Sequence, residues 1–492
     1  MDKPAEQGQQ IQAHLSLWDA VSIIIGIVIG ATIFEAPPLI LSNVSGPWAG
    51  LSVWAFCGGL ALIGALCYAE LASTYPRSGG DYVFLTRAYG PGMGFLFGWA
   101  QLVAIITGSI GAMAYVFARY AVRLWDAGQS VSDQLSEQQQ SIAVLLAVAA
   151  VAGLSALNIM GVVLGKRTQN ALTVAKLLGL AGILVIGFAF AKPRALAVER
   201  PMSGPGLGLA MIFVLYAYGG WNDSAFVVAE FRNRRRNIPL ALVLGTTAIT
   251  LIYVGVNLAY MSGLGFEEVR RSKAVAADLL DRALGGAGAT AMCVLVMLSA
   301  LGAINGLIFT GSRVYSALGA DYSLFHWLAR WHPRLRTPLW SLLAQAIVSL
   351  TMILSVGTEL GQNMINDLIA SLGIHPIPWK NYGGGFGTLV SGTAPVFWLF
   401  FLLTGLSLFT LREKDHGIDR PFSVPLYPFL PFIFCLMCAY MLYKSLEYAG
   451  ALALLGLVPL AAGVPLYLLS RRRARSTEEP VAETVAAQDP VG

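Results

Sequence analysis

Long apolar runs separated by short polar segments fill most of the 492-residue chain. About 20 apolar residues are enough to cross the roughly 30 Å hydrocarbon core of a bilayer. Each run predicts a helix, because a backbone in lipid must satisfy its own hydrogen bonds. The alternating ten-residue segments of a transmembrane β-barrel are not visible. The twelve predicted spans are residues 17–42, 47–73, 93–117, 141–160, 169–190, 207–230, 238–262, 287–312, 338–356, 390–409, 427–443 and 450–470.

Two of these spans are interrupted. Span 1 contains GIVIGATIFEAPP at residues 26–38, and span 6 has Gly219-Gly220 in its middle. Glycine and proline weaken a helix by about 1 and 3 kcal/mol per residue respectively. Close packing is one reading, since small residues are common where membrane helices touch. The breaks lie five spans apart, however, and matching interruptions in two halves of a chain are typical of inverted-repeat transporters with a midplane site.

A broken membrane helix offers main-chain groups that suit a zwitterionic amino acid. The start of its second half presents free N–H groups and a partial positive charge to a carboxylate. The end of its first half presents free carbonyls to an ammonium group. No charged side chain is required, and the stretch from Gly26 to Phe34 contains none.

The composition agrees with a membrane protein and excludes several other classes. Charged residues make up 12% of the chain and the mean hydropathy is +0.66, whereas soluble domains carry about 25% charged residues. The net charge of +5 is not arranged as a basic stripe with aromatics, so a nucleic-acid partner is not expected. No HExxH, P-loop or GxSxG motif occurs. An enzyme, a metal site and a cofactor are therefore not expected. If the two breaks belong to a transporter, a proton could be its coupling ion.

Loop charge predicts the orientation. Most of the Lys and Arg residues lie in loops on the same side as the N-terminus, and such loops usually face the cytoplasm. We therefore expect a multi-pass cell-membrane protein with both termini cytoplasmic. Residues 1–16 form a cytoplasmic segment, and the polar tail 471–492 is predicted to be disordered.

Several motifs resemble those of the amino acid–polyamine–organocation transporters, in particular the L-type branch. GIVIGATIF in span 1 is similar to the GxGIF signature of that superfamily. The other matching segments are CYAELASTYPRSGGDYVFL (67–85), LYAYGGWNDSAFVVAEFRNRRRNIPLAL (215–242), LGAINGLIFTGSRVYSALGADYSLF (301–325) and TPLWSLLAQ (337–345).

The resemblance implies an all-α membrane protein with the LeuT-type fold. Its two inverted five-helix repeats would be residues 17–190 and 207–409, with helices 1 and 6 discontinuous and two trailing helices in 427–470. The implied function is secondary active transport of L-amino acids, more in keeping with neutral than charged ones, by proton coupling or exchange. A polyamine or cationic amino-acid exchanger or exporter, and an amino-acid sensor that does not transport, are the alternatives.

The resemblance also implies which residues bind substrate. Gly30 and Gly220 lie in the two breaks, and Tyr216 matches the gating aromatic of the family. The N–H groups expected to meet the substrate carboxylate belong to Ala31, Thr32 and Ile33. The carbonyls expected to meet the ammonium belong to Val28, Tyr216 and Gly219.

Ionisable residues inside spans are rare and point to function. Asp223, three residues past Gly220, either lines the cavity or serves the structure. Glu35 could complement a cationic side chain, titrate with substrate or face outer water. Glu70 is expected to anchor a loop, and Glu230 to form an interfacial ion pair beside the Arg232–Arg236 cluster.

Lys176 lies deep in span 5. At 1.5 Å per residue it is about 12 Å beyond Thr168, although a lysine stem can also carry its charge back to the interface. In many proton-coupled and exchanging relatives a lysine at the matching position replaces sodium. It would brace helices 1 and 8 through main-chain and hydroxyl oxygens and release its proton when the cavity opens inward.

The chain departs from the family pattern in two places. Ala31-Thr32 replaces the usual serine-glycine, and residues 357–389 form an unusually long polar insertion. The insertion could be an outer cap or a re-entrant piece near the gate. A protein partner is left open, since the outer loop 118–140 has no cysteine for a covalent link.

Overall fold

The computed structural model describes residues 15–125, 136–191, 206–272, 274–371, 373, 375–382 and 384–470. The predicted tail 471–492 lies outside these residues, as does all but the end of the predicted N-terminal segment 1–16. Residues 126–135, which belong to the predicted outer loop 118–140, also lie outside the described residues.

The described chain is helical throughout its ordered elements. The α-helices are α1 Leu17–Val28, α2 Thr32–Glu35, α3 Pro37–Leu41, α4 Pro47–Thr74, α5 Asp81–Tyr89, α6 Pro91–Ala100, α7 Ile106–Trp125, α8 Glu137–Ile159, α9 Val162–Ala189, α10 Gly206–Ala217, α11 Arg234–Gly263, α12 Phe266–Arg271, α13 Val275–Leu284, α14 Gly288–Asp321, α15 Leu339–Gly357, α16 Glu359–Ser371, α17 Gly384–Lys414, α18 Phe429–Ala449 and α19 Leu454–Leu469. Gln101–Ile105 is a π-helix, and the 3₁₀ helices are Trp221–Glu230, Gly285–Ala287, Ser323–Ala329, Trp379–Tyr382 and Gly450–Ala453.

Within the described residues, nine helical stretches are long and apolar enough to cross a membrane. The sequence predicts twelve spans, and the difference has a physical origin. Spans 1 and 6 are divided, so their pieces, such as Leu17–Val28, are too short to count. The last stretch, Phe429–Leu469, contains both α18 and α19, because the 3₁₀ turn between them keeps the chain helical.

Both predicted interruptions are present. Helix α1 ends at Val28, and its continuation α2 begins at Thr32. Helix α10 ends at Ala217, and the Trp221–Glu230 helix follows. Gly220 has a φ of 104°, a conformation that glycine adopts without the steric cost other residues bear. The glycines that follow α10 therefore set where that helix stops.

Helix α1 lies at the centre of the bundle. It packs against α9, α11, α14 and the Trp221–Glu230 helix, and nine of its residues are buried. Ser16 begins it with a capping box, in which its hydroxyl accepts from the Asp19 N–H and the Asp19 carboxylate accepts from the Ser16 N–H. Surrounded on all sides, α1 can move only if its contacts with these neighbours rearrange.

Ion pairs and hydrogen bonds hold together the side of the bundle at which α1 begins. Glu230 forms a two-pronged ion pair with Arg313, with distances of 2.7 and 3.2 Å, and both side chains are only 2% exposed. Glu230 was expected to form an interfacial ion pair beside the Arg232–Arg236 cluster. The ion pair is present, but its partner is Arg313 of α14 and the pair is buried. Leu15 adds two main-chain bonds, to the Glu230 carbonyl and from the Arg232 N–H, each 2.9 Å.

Removal of one partner from the Glu230–Arg313 pair is expected to lower the free energy of unfolding by about 3–5 kcal/mol, because it leaves a buried charge unpaired. Thermal unfolding of Arg313→Met in detergent measures the effect. Arg235→Ala is the matched control, since its pair with Asp419 is exposed and such pairs contribute about 0–1 kcal/mol. Equal stability losses in the two variants would contradict the assignment.

Two further carboxylates fasten the same side. Glu70 is fully buried and accepts from Arg412, Arg420 and the Val424 N–H, which agrees with the predicted loop anchor. Asp415, just past α17, binds Arg87 and Tyr75. Burial acts to raise the pKa of Asp415, but the hydrogen bonds from Arg87 and Tyr75 outweigh it and hold the pKa below its ordinary value.

The insertion 357–389 packs on the far side, against the ends of the trailing helices. Ile369 and Ile377 form a small apolar cluster with Leu452, and the Tyr382 hydroxyl donates to the Ala449 carbonyl at 3.1 Å. None of the insertion's described residues lines the central cavity. Of the two predicted alternatives, the described part fits a cap rather than a re-entrant piece.

Candidate functional site

A cavity of about 140 Å³ lies where the two helix breaks face each other. An engineered cavity of about 150 Å³ is known to hold benzene, so this volume suits a small organic group. The predicted site residues on its wall are Val28, Gly30, Thr32, Tyr216, Gly219, Gly220 and Asp223. The opposite wall is supplied mainly by the π-helix, α7, α14 and α17, and includes Gln101, Ile105, Ser109, Leu307, Phe397 and Trp398. Segments far apart in sequence therefore meet at one small-molecule-sized space.

Three predicted residues lie elsewhere. Ala31 and Ile33 are buried beside the break but are not part of the cavity wall. Glu35 was a candidate cavity carboxylate, and this expectation is not met. It points away to α7, where it accepts from Arg119 and, at 2.7 Å, from the Tyr120 hydroxyl. Glu35 thus ties the outer half of helix 1 to α7.

The N–H groups past the first break are open. Among the described residues, no carbonyl or side chain accepts from the N–H groups of Ala31, Thr32 or Ile33. These are the donors that a helix start leaves without intrahelical partners. An anionic group reaching them would find hydrogen bonds already oriented.

The carbonyls before the breaks are only partly open. The Val28 carbonyl accepts from the Gly30 N–H at 2.8 Å and lies 3.0 Å from the Tyr253 hydroxyl. One lone pair is in use, and the second is free whenever the Tyr253 hydroxyl donates to the Ala217 carbonyl instead. The expectation that the Val28 carbonyl meets the substrate ammonium therefore stays a prediction. The Tyr216 carbonyl accepts one bond, from the Gly219 N–H. The Ile27 carbonyl, which the sequence did not single out, has no donor among the described residues.

Lys176 lies directly behind the first break. It is 0% exposed, and its ammonium donates to the Gly26 carbonyl at 2.8 Å and to the Ile29 carbonyl. The alternative in which its stem returns to the interface is not what the structure contains. No hydroxyl of α14 binds the ammonium; α14 instead approaches through Gly302, where an added Cβ would lie 3.4 Å from Nζ. The predicted contact of Lys176 with the eighth span, which is α14, is therefore indirect.

Two hydroxyls that sequence reasoning missed also hold the breaks. The Tyr253 hydroxyl lies 3.0 Å from the Val28 carbonyl and 3.1 Å from the Ala217 carbonyl, so it joins the two broken helices. The Ser299 hydroxyl lies 2.9 and 3.1 Å from the carbonyls of Ile29 and Gly30. Each hydroxyl carries one hydrogen and donates to one of its two acceptors at a time. The signal in the sequence for these two residues was a hydroxyl side chain within each of the apolar spans 7 and 8.

Metal chemistry has no obvious place in this arrangement. Across the described ranges, no group of three or more His, Cys, Asp or Glu side chains is positioned to hold a metal ion. The five cysteines are unpaired. The site is built from main-chain groups, hydroxyls, one lysine and one carboxylate.

These features define an all-helical membrane protein with a cavity between two broken helices. The chain belongs to the amino acid permease family, whose pattern it matches over residues 15–454. It is 32% identical to the human (Homo sapiens) b(0,+)-type amino acid transporter 1, over 84% of this chain and 79% of that one. It is 31% identical to the human cystine/glutamate transporter, over 95% and 87%. It is 30% identical to the large neutral amino acids transporter small subunit 2 of Mus musculus, over 94% and 82%. The function of the chain is therefore amino-acid transport across a membrane.

Proposed function

We propose that the protein moves L-amino acids by alternating access and recognises their α-amino and α-carboxyl groups mainly through main-chain atoms. The observation that carries this proposal is the pair of breaks facing one cavity. Open N–H groups of Ala31, Thr32 and Ile33 are available to a carboxylate. The Ile27 carbonyl and the remaining lone pair of the Tyr216 carbonyl are available to an ammonium. Helix termini of this kind bind ions without any charged side chain.

We infer a LeuT-type arrangement for the whole chain. Residues 17–190 and 207–409 would be inverted five-helix repeats, followed by α18 and α19, which gives twelve crossings in the cell membrane with both termini cytoplasmic. The interruption of helices 1 and 6, five spans apart, supports this inference. The excess of Lys and Arg on the N-terminal side supports the orientation.

Alternating access would release two sets of contacts in turn. On the N-terminal side, the main-chain bonds of Leu15 fasten the start of helix 1 to the end of helix 6, and the Glu230–Arg313 pair fastens that end to α14. On the other side, Glu35 fastens the outer half of helix 1 to α7. Tyr216 lines the cavity just before the second break, and we propose that it gates the substrate. The contacts of Leu15 and those of Glu35 therefore both act on helix 1.

We propose that Lys176 takes the place of a sodium ion. A fixed ammonium that binds the Gly26 and Ile29 carbonyls satisfies the end of α1, as a metal cation would. The coupling would then be to protons or to exchange of a second amino acid. Loss of the lysine proton when the cavity opens inward would loosen the break and permit release.

Two rivals remain as test outcomes. A polyamine transporter would not need the open N–H groups, because a polyamine has no carboxylate. A sensor would bind the amino acid without moving it. The mouse relative is named as a small subunit; for this chain we propose that transport needs no disulfide-linked partner, since loop 118–140 has no cysteine.

Competition by substrate analogues tests the mode of recognition. Amino acids without the α-carboxylate should fail to compete for uptake into proteoliposomes. Thr32→Ala should weaken uptake only modestly, by less than about fivefold, since the main-chain N–H remains and one neutral hydrogen bond contributes about 0.5–1.5 kcal/mol. Competition by a simple polyamine as strong as by leucine would contradict the amino-acid site.

A further inference from the structure

A carboxylate without a cationic partner borders the cavity. Asp223 is 7% exposed, and its one described hydrogen-bond donor is the Asn222 side-chain amide at 3.2 Å. No Lys, Arg or His among the described residues forms an ion pair with it. Two other buried carboxylates differ, since Glu230 pairs with Arg313 and Glu70 with Arg412. Asp81 also has no ion pair among the described residues, but it accepts from two hydroxyls and does not line the cavity. Asp223 is therefore a buried acid whose counter-charge is missing.

Neighbouring polar groups have the same deficit. Gln101 lies on the cavity wall, and its Oε1 is buried with no donor among the described residues. The Oδ1 of Asn222, next to Asp223 but not on the cavity wall, is also buried with no donor among the described residues. Burying acceptors without donors is unfavourable, and burying an unpaired charge is more so. This end of the cavity would be satisfied by a ligand that brings both positive charge and several N–H donors.

The position of Asp223 relative to the breaks decides which part of a substrate would reach it. It lies three residues beyond Gly220 in a 3₁₀ helix, about 6 Å along the axis. An extended basic side chain spans that distance when its α-groups lie at the breaks. The same cavity wall includes the apolar side chains of Ile105, Leu307 and Phe397, which are available to the methylene stem. Long basic side chains combine such a stem with a charged end.

Resting on the function proposed above, we propose that Asp223 selects the substrate's side chain, and that the preferred substrate is a basic L-amino acid whose cationic end binds this carboxylate. The substrate then supplies the missing counter-charge, and its N–H groups supply a donor to Gln101 on the same cavity wall. This proposal replaces the sequence-based expectation of a neutral substrate. The first break has no charged residue. That absence concerns the α-groups and does not bear on the side chain.

L-Arginine and L-citrulline form a matched pair for the test, because they have the same length and differ in charge. Uptake of each into proteoliposomes is measured for the wild type and for Asp223→Asn. The wild type should prefer arginine, and the ratio of arginine to citrulline uptake should fall by at least about 30-fold in the variant, as expected when one partner of a buried charge pair is removed. Asp223→Glu should keep the preference for arginine. Asp419→Asn, which removes an exposed carboxylate outside the cavity, should leave the ratio unchanged.

The outcomes separate this proposal from the function on which it rests. Uptake of citrulline but not arginine by the wild type would overturn the basic side chain and leave amino-acid transport standing. An unchanged ratio in Asp223→Asn would overturn the role of Asp223, including when its loss affects pH dependence alone. If the variant does not transport, arginine and citrulline are compared by the shift each causes in its thermal unfolding. If it does not fold, the wild-type preference and Asp223→Glu decide. Failure of the wild type to move any amino acid would refute the proposed function itself.

Discussion

Replacement of Lys176 by alanine is expected to lower uptake at least about tenfold and to remove its dependence on pH. The ammonium is fully buried and binds the carbonyls of Gly26 and Ile29. Without it, the Gly26 carbonyl loses its donor in the interior and the Ile29 carbonyl keeps only the Ser299 hydroxyl. An unsatisfied buried group costs about 1–3 kcal/mol. Helix 1 then no longer holds the geometry that the substrate needs for the transport cycle.

Lys166→Ala is the matched control for this substitution. It removes the same charge from the same helix, α9, but from the N-terminal edge, where Lys166 pairs with Asp19 at 3.0 Å. Uptake at several pH values, with a pH gradient and no sodium gradient, distinguishes the two variants. Binding measured by thermal shift should persist in Lys176→Ala. A variant that keeps its pH-dependent uptake would contradict the coupling role of Lys176.

Gly220→Ala is expected to lower uptake by more than about tenfold, whereas Gly219→Ala should be much milder. Gly220 has a φ of 104°, and a Cβ there would lie 2.7 Å from Cγ2 of Ile27. A side chain held in such a conformation costs about 1–3 kcal/mol, and the contact would push the two breaks apart. At Gly219 a Cβ would meet only the Tyr216 carbonyl, at 3.3 Å.

The comparison of initial uptake rates at equal amounts of folded protein measures this difference. Gly219→Val serves as a third variant, in which the larger β-branched side chain should fill the cavity and abolish transport. Similar rates for Gly219→Ala and Gly220→Ala would mean that the left-handed turn at Gly220 does not shape the site.

The parts of the site that depend on local sequence could be predicted. Glycines at 26, 30, 219 and 220 mark the breaks, because they weaken a helix wherever it lies. The depth of Lys176 followed from counting residues along a straight helix. Both features need no knowledge of how helices are arranged.

The parts that depend on how helices face each other could not. Tyr253 reaches the breaks only because α11 turns one side toward α1. Glu35 meets Arg119 across 84 residues, and Glu230 meets Arg313 across 83. The rotation of one membrane helix against another is set by packing and not by hydropathy. The hydroxyl of Tyr253 lies near the Val28 carbonyl as a consequence of the same packing.

Counterflow in proteoliposomes tests the central claim most directly. Vesicles containing the purified protein are loaded with unlabelled L-amino acid and diluted into a trace of the labelled one, in sodium-free buffer on both sides. The proposed mechanism predicts that label enters and accumulates transiently, and that Gly220→Ala vesicles show far less of it. Binding of the amino acid without any entry of label, or entry only when sodium is added, would contradict it.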